Sequence, residues 1–156
     1  MDKSTRKPAE KLWIVVADEG QARILERPNQ RADLQDVEQL SDPAARADRA
    51  DLRRDAYGRR AGSDLRSGGN VTSSASDDEL HREALQFARI VAERLLKGLR
   101  DGEYQKLLIA AAPRFLGYLR KVLPAEVTGT VQTEIDKDFV NLGRRELTQR
   151  LFPAAA

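Results

Sequence analysis

The side chains best suited to chemistry lie in one stretch, RADLRRDAYGRRAGSDLRSGGNVTSSAS (residues 49–76), which carries six arginines and no lysine. Arg53, Arg54, Arg59, Arg60 and Arg66 each offer a planar fork of N–H donors that matches a phosphate bidentately. Tyr57 stands between two arginine pairs, where its ring can stack on a base while the guanidinium groups hold the backbone. Gly68-Gly69-Asn70 follows, and two residues without a Cβ allow the main chain to come very close to a ligand. These residue types, in this order, suit an anionic polymer such as RNA. The competing reading is a solvated connection. Across residues 41–76 seven arginines meet five aspartates, a balance of only +2, and Gly-Gly-Asn is also ordinary turn chemistry.

Elsewhere the chain offers little for catalysis. It has no cysteine, which removes disulfides and thiolate metal sites, and its single histidine, His81, cannot build a histidine cluster. His81 reads as a helix-surface or boundary residue rather than a base. Asp136 and Asp138, two apart at a strand end, could flank a cation; the alternative is a loop in which Lys137 neutralises them. GEYQK (102–106) lacks the glycines of a phosphate loop, and nothing has the spacing of a P-loop or a nucleophile with its base. No catalytic residue, metal or cofactor is expected.

At 156 residues the chain suffices for one domain with a real core. Hydrophobic residues make up 40% but aromatics only 5%, so Val, Ile, Leu and Ala must fill that core. Net charge is +2, yet 20 of the 27 basic residues are arginine, a bias that suits phosphate but that a GC-rich coding sequence also produces. The start is basic and then apolar, as in a signal peptide. Its apolar run, Leu12–Ala17, is six residues against the 7–15 such peptides use, and Asp18-Glu19 follows at once. No run approaches the ~20 apolar residues of a membrane span. The expectation is a cytoplasmic protein with no membrane partner.

The arginine-rich stretch needs a scaffold, and the flanking patterns supply one. KLWIVVADEGQARILERP (11–28) reads as a β-hairpin whose first strand is buried on both sides, with Leu12, Ile14 and Val16 on one face and Trp13, Val15 and Ala17 on the other. ADLQDVEQL adds a weaker edge strand, ended by Ser41-Asp42-Pro43. Residues 41–76 hold too few apolar side chains to offset the cost of ordering, so they read as a long mobile loop. SDDELHREALQFARIVAERLLKGLRDG (76–102) predicts a helix with Ser76 and Glu79 as a capping box and Leu80, Ala84, Phe87, Ala88, Val91, Leu95 and Leu99 as its apolar stripe. Lys106–Ala111 reads as a buried strand and Pro113 as the first turn of a helix ended by Pro124. Residues 127–139 alternate like a strand, and NLGRRELTQRLF forms a last short helix. The whole is an α/β domain over residues 11–152, a mixed β-sheet flanked by helices, with a flexible N-terminus (1–10) and a tail (153–156).

Five segments in order, WIVVADEGQARILE, SDPAARAD, HREALQFARIVAERL, LLIAAAPRFLGYLRKVL and EIDKD, make the chain resemble the bacterial host-attachment protein family over roughly residues 11–152. That family is in turn similar to the middle domain of archaeal and eukaryotic class I peptide-chain release factors. The resemblance implies that fold, with a long loop before a long helix. In release factors the loop carries Gly-Gly-Gln, which orients water on the peptidyl-tRNA ester; here the matching region has Gly68-Gly69-Asn70. Asparagine is one methylene shorter, so what the resemblance implies is ribosome or tRNA contact rather than hydrolysis. The expected function is a non-enzymatic module touching the ribosome, rRNA or tRNA through Arg53, Arg54, Tyr57, Arg59, Arg60 and Arg66, with Gly68, Gly69 and Asn70 as the loop tip. Two alternatives stand beside it: a protein–protein adaptor that supports host attachment indirectly and docks through Leu52, Tyr57 and Leu65, and a peptidyl-tRNA hydrolase-like activity that depends on Gly69.

Overall fold

Two apolar runs, LWIVVA and the LLIAA that follows Lys106, become the paired central strands of the sheet. In this computed structural model, which describes residues 10–42 and 69–153 (the side chains of 69–76 excepted), the elements run in a simple order. Strands β1 (Leu12–Ala17), β2 (Gln21–Arg27) and β3 (Gln35–Ser41) come first, followed by helix α1 (Gly69–Arg100). Strand β4 (Lys106–Ala111), helices α2 (Pro113–Val122) and α3 (Ala125–Thr128), strand β5 (Val131–Ile135) and helix α4 (Arg144–Leu151) complete the chain. The sheet order is β3-β2-β1-β4-β5. β1 pairs antiparallel with β2 and parallel with β4; β2–β3 is antiparallel and β4–β5 parallel.

Burial on both faces of β1 follows from its alternation. Trp13, Val15 and Ala17 join Phe87, Val91, Leu95, Phe115 and Leu119 in a core under α1 and α2. Ile14 and Val16 face the other way, onto Leu25, Leu34 and Leu147 under α4. This is the mixed sheet flanked by helices that the patterning predicts.

Three boundaries differ from the sequence expectation. Helix α1 starts at Gly69, so Ser76 is not its cap and Asp77 and Asp78 lie inside it. A helix nucleated on the packed stripe extends at little cost per residue, and no proline interrupts residues 69–100. Leu80, assigned to that stripe, is 56% exposed, because packing begins only at Ala84. The expected loop 41–76 therefore shortens at both ends: β3 runs through Ser41, and its remainder, residues 43–68, lies outside the described residues, as do 1–9 and 154–156. Finally, the alternating segment 127–139 is a strand only over Val131–Ile135. Pro124 instead starts a helical turn, its carbonyl accepting from the N–H groups of Val127 and Thr128 at 3.0 Å each, and Val127 is buried.

The C-terminal end of α1 is fixed by a tightly packed cluster. The Trp13 and Tyr104 rings stack at 4.7 Å, and the Tyr104 hydroxyl donates to the Leu95 carbonyl at 2.7 Å. The Arg94 guanidinium lies 5.2 Å over the Trp13 ring and reaches Glu38 and Glu103 at 3.1 Å each. Burial opposes its charge, yet its hydrogen bonds to Glu103 and Glu38 hold its pKa above the ordinary arginine value. A positive-φ glycine, Gly102 (φ 73°), then ends the helix and turns the chain into β4.

Candidate functional site

One end of the sheet gathers the ends of its parallel strands and the point where the chain leaves β3. β1 and β4 run in register, with Ala17 opposite Ala111, and Ile135 at the end of β5 pairs with Ala110, so three parallel strands end together. The β1–β2 turn sits at the same end. There the buried Asp18 carboxylate accepts from the N–H groups of Gly20 at 2.8 Å and Gln21 at 2.9 Å. β3 leaves beside it, since Asp42 N–H donates to the Gly20 carbonyl at 3.0 Å. The arginine segment thus departs from a rigid corner.

It returns through α1. Gly69 and Asn70 form the first turn of this 32-residue helix. Between Asp77 and Arg82 every residue is exposed, and buried side chains begin at Ala84. At 1.5 Å per residue, Gly69 to Ala84 is roughly 22 Å of helix whose described part carries no buried side chain. Gly68 and the candidate contacts Arg53, Arg54, Tyr57, Arg59, Arg60 and Arg66 lie outside the described residues.

The lone histidine belongs to this arm. His81 is exposed, and its Nδ1 meets the Tyr118 hydroxyl of α2 while the two rings stand edge to face at 5.9 Å. This contact joins residues 37 apart and had no signal in the local sequence. Asp136 lines an open groove of about 460 Å³ with Pro113, Leu116, Arg120 and Glu134, where Arg120 and Glu134 pair at 2.7 Å. Asp138 instead accepts from Val140 N–H at 3.2 Å. Among the described residues no three carboxylate or imidazole groups converge as metal ligands would. None of their helices is long and apolar enough to cross a membrane.

Sequence reasoning missed the basic character of α2. From Pro113 to Leu123 the chain has Arg114, Arg120 and Lys121 and not one carboxylate, a signal that was open to view but that only tertiary structure connects to α1.

The fold is similar to part of an archaeal translation termination factor, aRF1. The two superpose with a TM-score of 0.51 at 12% sequence identity, over 93% of this chain and 35% of that one. The likeness is one of fold, and the chain spans about a third of the factor's length. By sequence, the chain belongs to the family described as proteins required for attachment to host cells, whose pattern matches residues 13–151. Among curated proteins no relative matches.

Proposed function

We propose that the protein is a non-enzymatic cytoplasmic module that contacts the ribosome or tRNA through its arginine-rich segment. In this reading Arg53, Arg54, Arg59, Arg60 and Arg66 bind phosphate, Tyr57 stacks on a base, and Gly68-Gly69-Asn70 marks the closest approach. The observation that carries it is the arm of α1, which begins at Gly69 and has no buried side chain among those described before Ala84. A helix usually pairs an exposed face with a buried one; an arm exposed over all of Asp77–Arg82 serves to hold out what precedes it. The release-factor-like fold supports the same partner class.

Phosphate contacts make such binding steeply salt-dependent. Ribosomes sedimented at 50 mM salt carry the wild-type chain with them, and replacing Arg53, Arg54, Arg59 and Arg60 by alanine weakens retention at least tenfold. Equal retention of both chains, or none of either, sinks the reading.

The family description favours a second reading, a protein–protein adaptor that supports attachment indirectly. Its contact survives RNase and is lost when Leu52, Tyr57 and Leu65 become alanine. A hydrolase-like reading requires turnover of peptidyl-tRNA that disappears in Gly69→Ala.

A further inference from the structure

Some cations of the folded body hold carboxylates: Arg23 and Arg144 on Asp36, and on α1 and α2 Arg94 on Glu38 and Glu103, Arg100 on Glu126 and Arg120 on Glu134. On the α1–α2 layer, Arg82, Arg89, Arg114 and Lys121 are exposed and make no ion pair among the described residues. Arg114 and Lys121, seven apart on a helix, share one side and stand ~10.5 Å apart along its axis. Tyr118 lies between them, half-buried, with its ring against His81.

Two contacts fix which arc of α1 faces α2 and α3: His81 with Tyr118, and Arg100 with Glu126 at 2.9 Å. At about 100° per residue, Arg89 falls on the arc between His81 and Arg100, and Arg82 falls on the same line as Arg100. Arg82 and Arg89 therefore border the seam between the helices from one side, and Arg114 and Lys121 border it from the other. Exposed carboxylates bound the positive strip on this arc: Asp78 lies one turn before Arg82 and Glu93 one turn after Arg89.

We propose that this α1–α2 seam is a second RNA-binding surface, on which the four cations hold phosphates and Tyr118 offers its ring to a base. It rests on the reading of the protein as one that contacts RNA, and it adds a rigid surface separate from the arginine segment. An aromatic ring flanked by two cationic rows is the arrangement by which stacking and phosphate contact hold single strands. A lipid surface would require apolar side chains beside the cations; Phe115, Leu116 and Leu119 of α2 are buried, and the exposed Leu80 and Ile90 of α1 project well away from the Arg82–Arg89 line.

The test uses the full chain and a labelled 20-nucleotide single-stranded RNA, followed by fluorescence anisotropy from 50 to 200 mM salt. Arg114→Ala with Lys121→Ala, and Arg82→Ala with Arg89→Ala, each weaken binding about tenfold. Each pair also lowers the slope of log affinity against log salt by about 1.4, the value for two lost phosphate contacts on a single strand. Tyr118→Ala weakens binding roughly tenfold with the slope unchanged. Thermal unfolding of the two cation pairs matches wild type, because all four residues are exposed. The Arg53, Arg54, Arg59 and Arg60 variant separates the two proposals. If it alone loses the RNA while the seam variants bind like wild type, the seam is overturned and the segment stands. If the seam variants lose the RNA and it does not, the seam stands without the segment. No RNA binding by any chain at 50 mM salt overturns the seam together with the RNA reading.

Discussion

Trp13→Ala lowers the unfolding free energy by about 4 kcal/mol, a large share of the stability of a domain this size. Trp13 is 2% exposed and lies at the junction of β1, α1 and the turn into β4. Its removal opens a cavity against Tyr104, takes away the ring beneath Arg94 and loosens the helix that carries the arginine segment. Chemical denaturation shows the loss as a lower midpoint. The same site yields a sharper test through Gly98. A Cβ built there would lie 2.8 and 2.9 Å from two carbons of the Trp13 ring, closer than real Cβ atoms come. Gly98→Ala therefore destabilises the native chain by about 1–3 kcal/mol even though alanine is the better helix former. In a Trp13→Leu background the collision is gone, and Gly98→Ala becomes stabilising by up to about 1 kcal/mol. A change of sign across that double-mutant cycle establishes the packing; purely additive effects refute it.

How much of this could be read from residues alone depends on how local the deciding forces are. LWIVVA ends at Asp18-Glu19-Gly20 and KLLIAA just before Ala112-Pro113, and both strands emerge with the predicted limits. Pro113 opens α2 as expected, since a helix start loses nothing by lacking that N–H. Ser76-Asp77-Asp78-Glu79 looks like a helix start for sound local reasons, yet the packed stripe from Ala84 to Leu99 outweighs one cap and carries the helix back to Gly69. Val127-Thr128-Gly129-Thr130-Val131 fits a strand by alternation, and Pro124 decides otherwise by accepting two backbone N–H groups. The candidate site divides in the same way. Arginine content marks residues 49–66 without any structure. The seam needs His81 beside Tyr118 and Arg100 beside Glu126, pairings that no short window of sequence contains.

Between pH 10 and pH 12 the wild-type chain loses stability that Tyr104→Phe does not. Tyr104 is fully buried, and burial pushes its hydroxyl from the ordinary value near 10.0 up to about 12, against smaller opposing influences from Thr130 and Arg94. An unfolded tyrosine releases its proton near pH 10 while the folded one keeps it. Above pH 10 the native state thus binds more protons than the unfolded state, and stability falls with rising pH. The contribution is whole below pH 10 and gone once pH passes about 12; two pKa units correspond to on the order of 2–3 kcal/mol. At pH 7 the phenylalanine variant is less stable by about 1 kcal/mol, because the Leu95 carbonyl loses the hydroxyl at 2.7 Å. The two stability curves accordingly approach above pH 10 and cross before pH 12, where the phenylalanine variant is the more stable by about 1–2 kcal/mol. Since lysine and arginine titrations act on both chains alike, the difference between the curves isolates this one hydroxyl. Parallel curves from pH 8 to pH 12 would show that Tyr104 is not held by burial, and the stacked Trp13–Tyr104 floor under α1 would lose its physical basis.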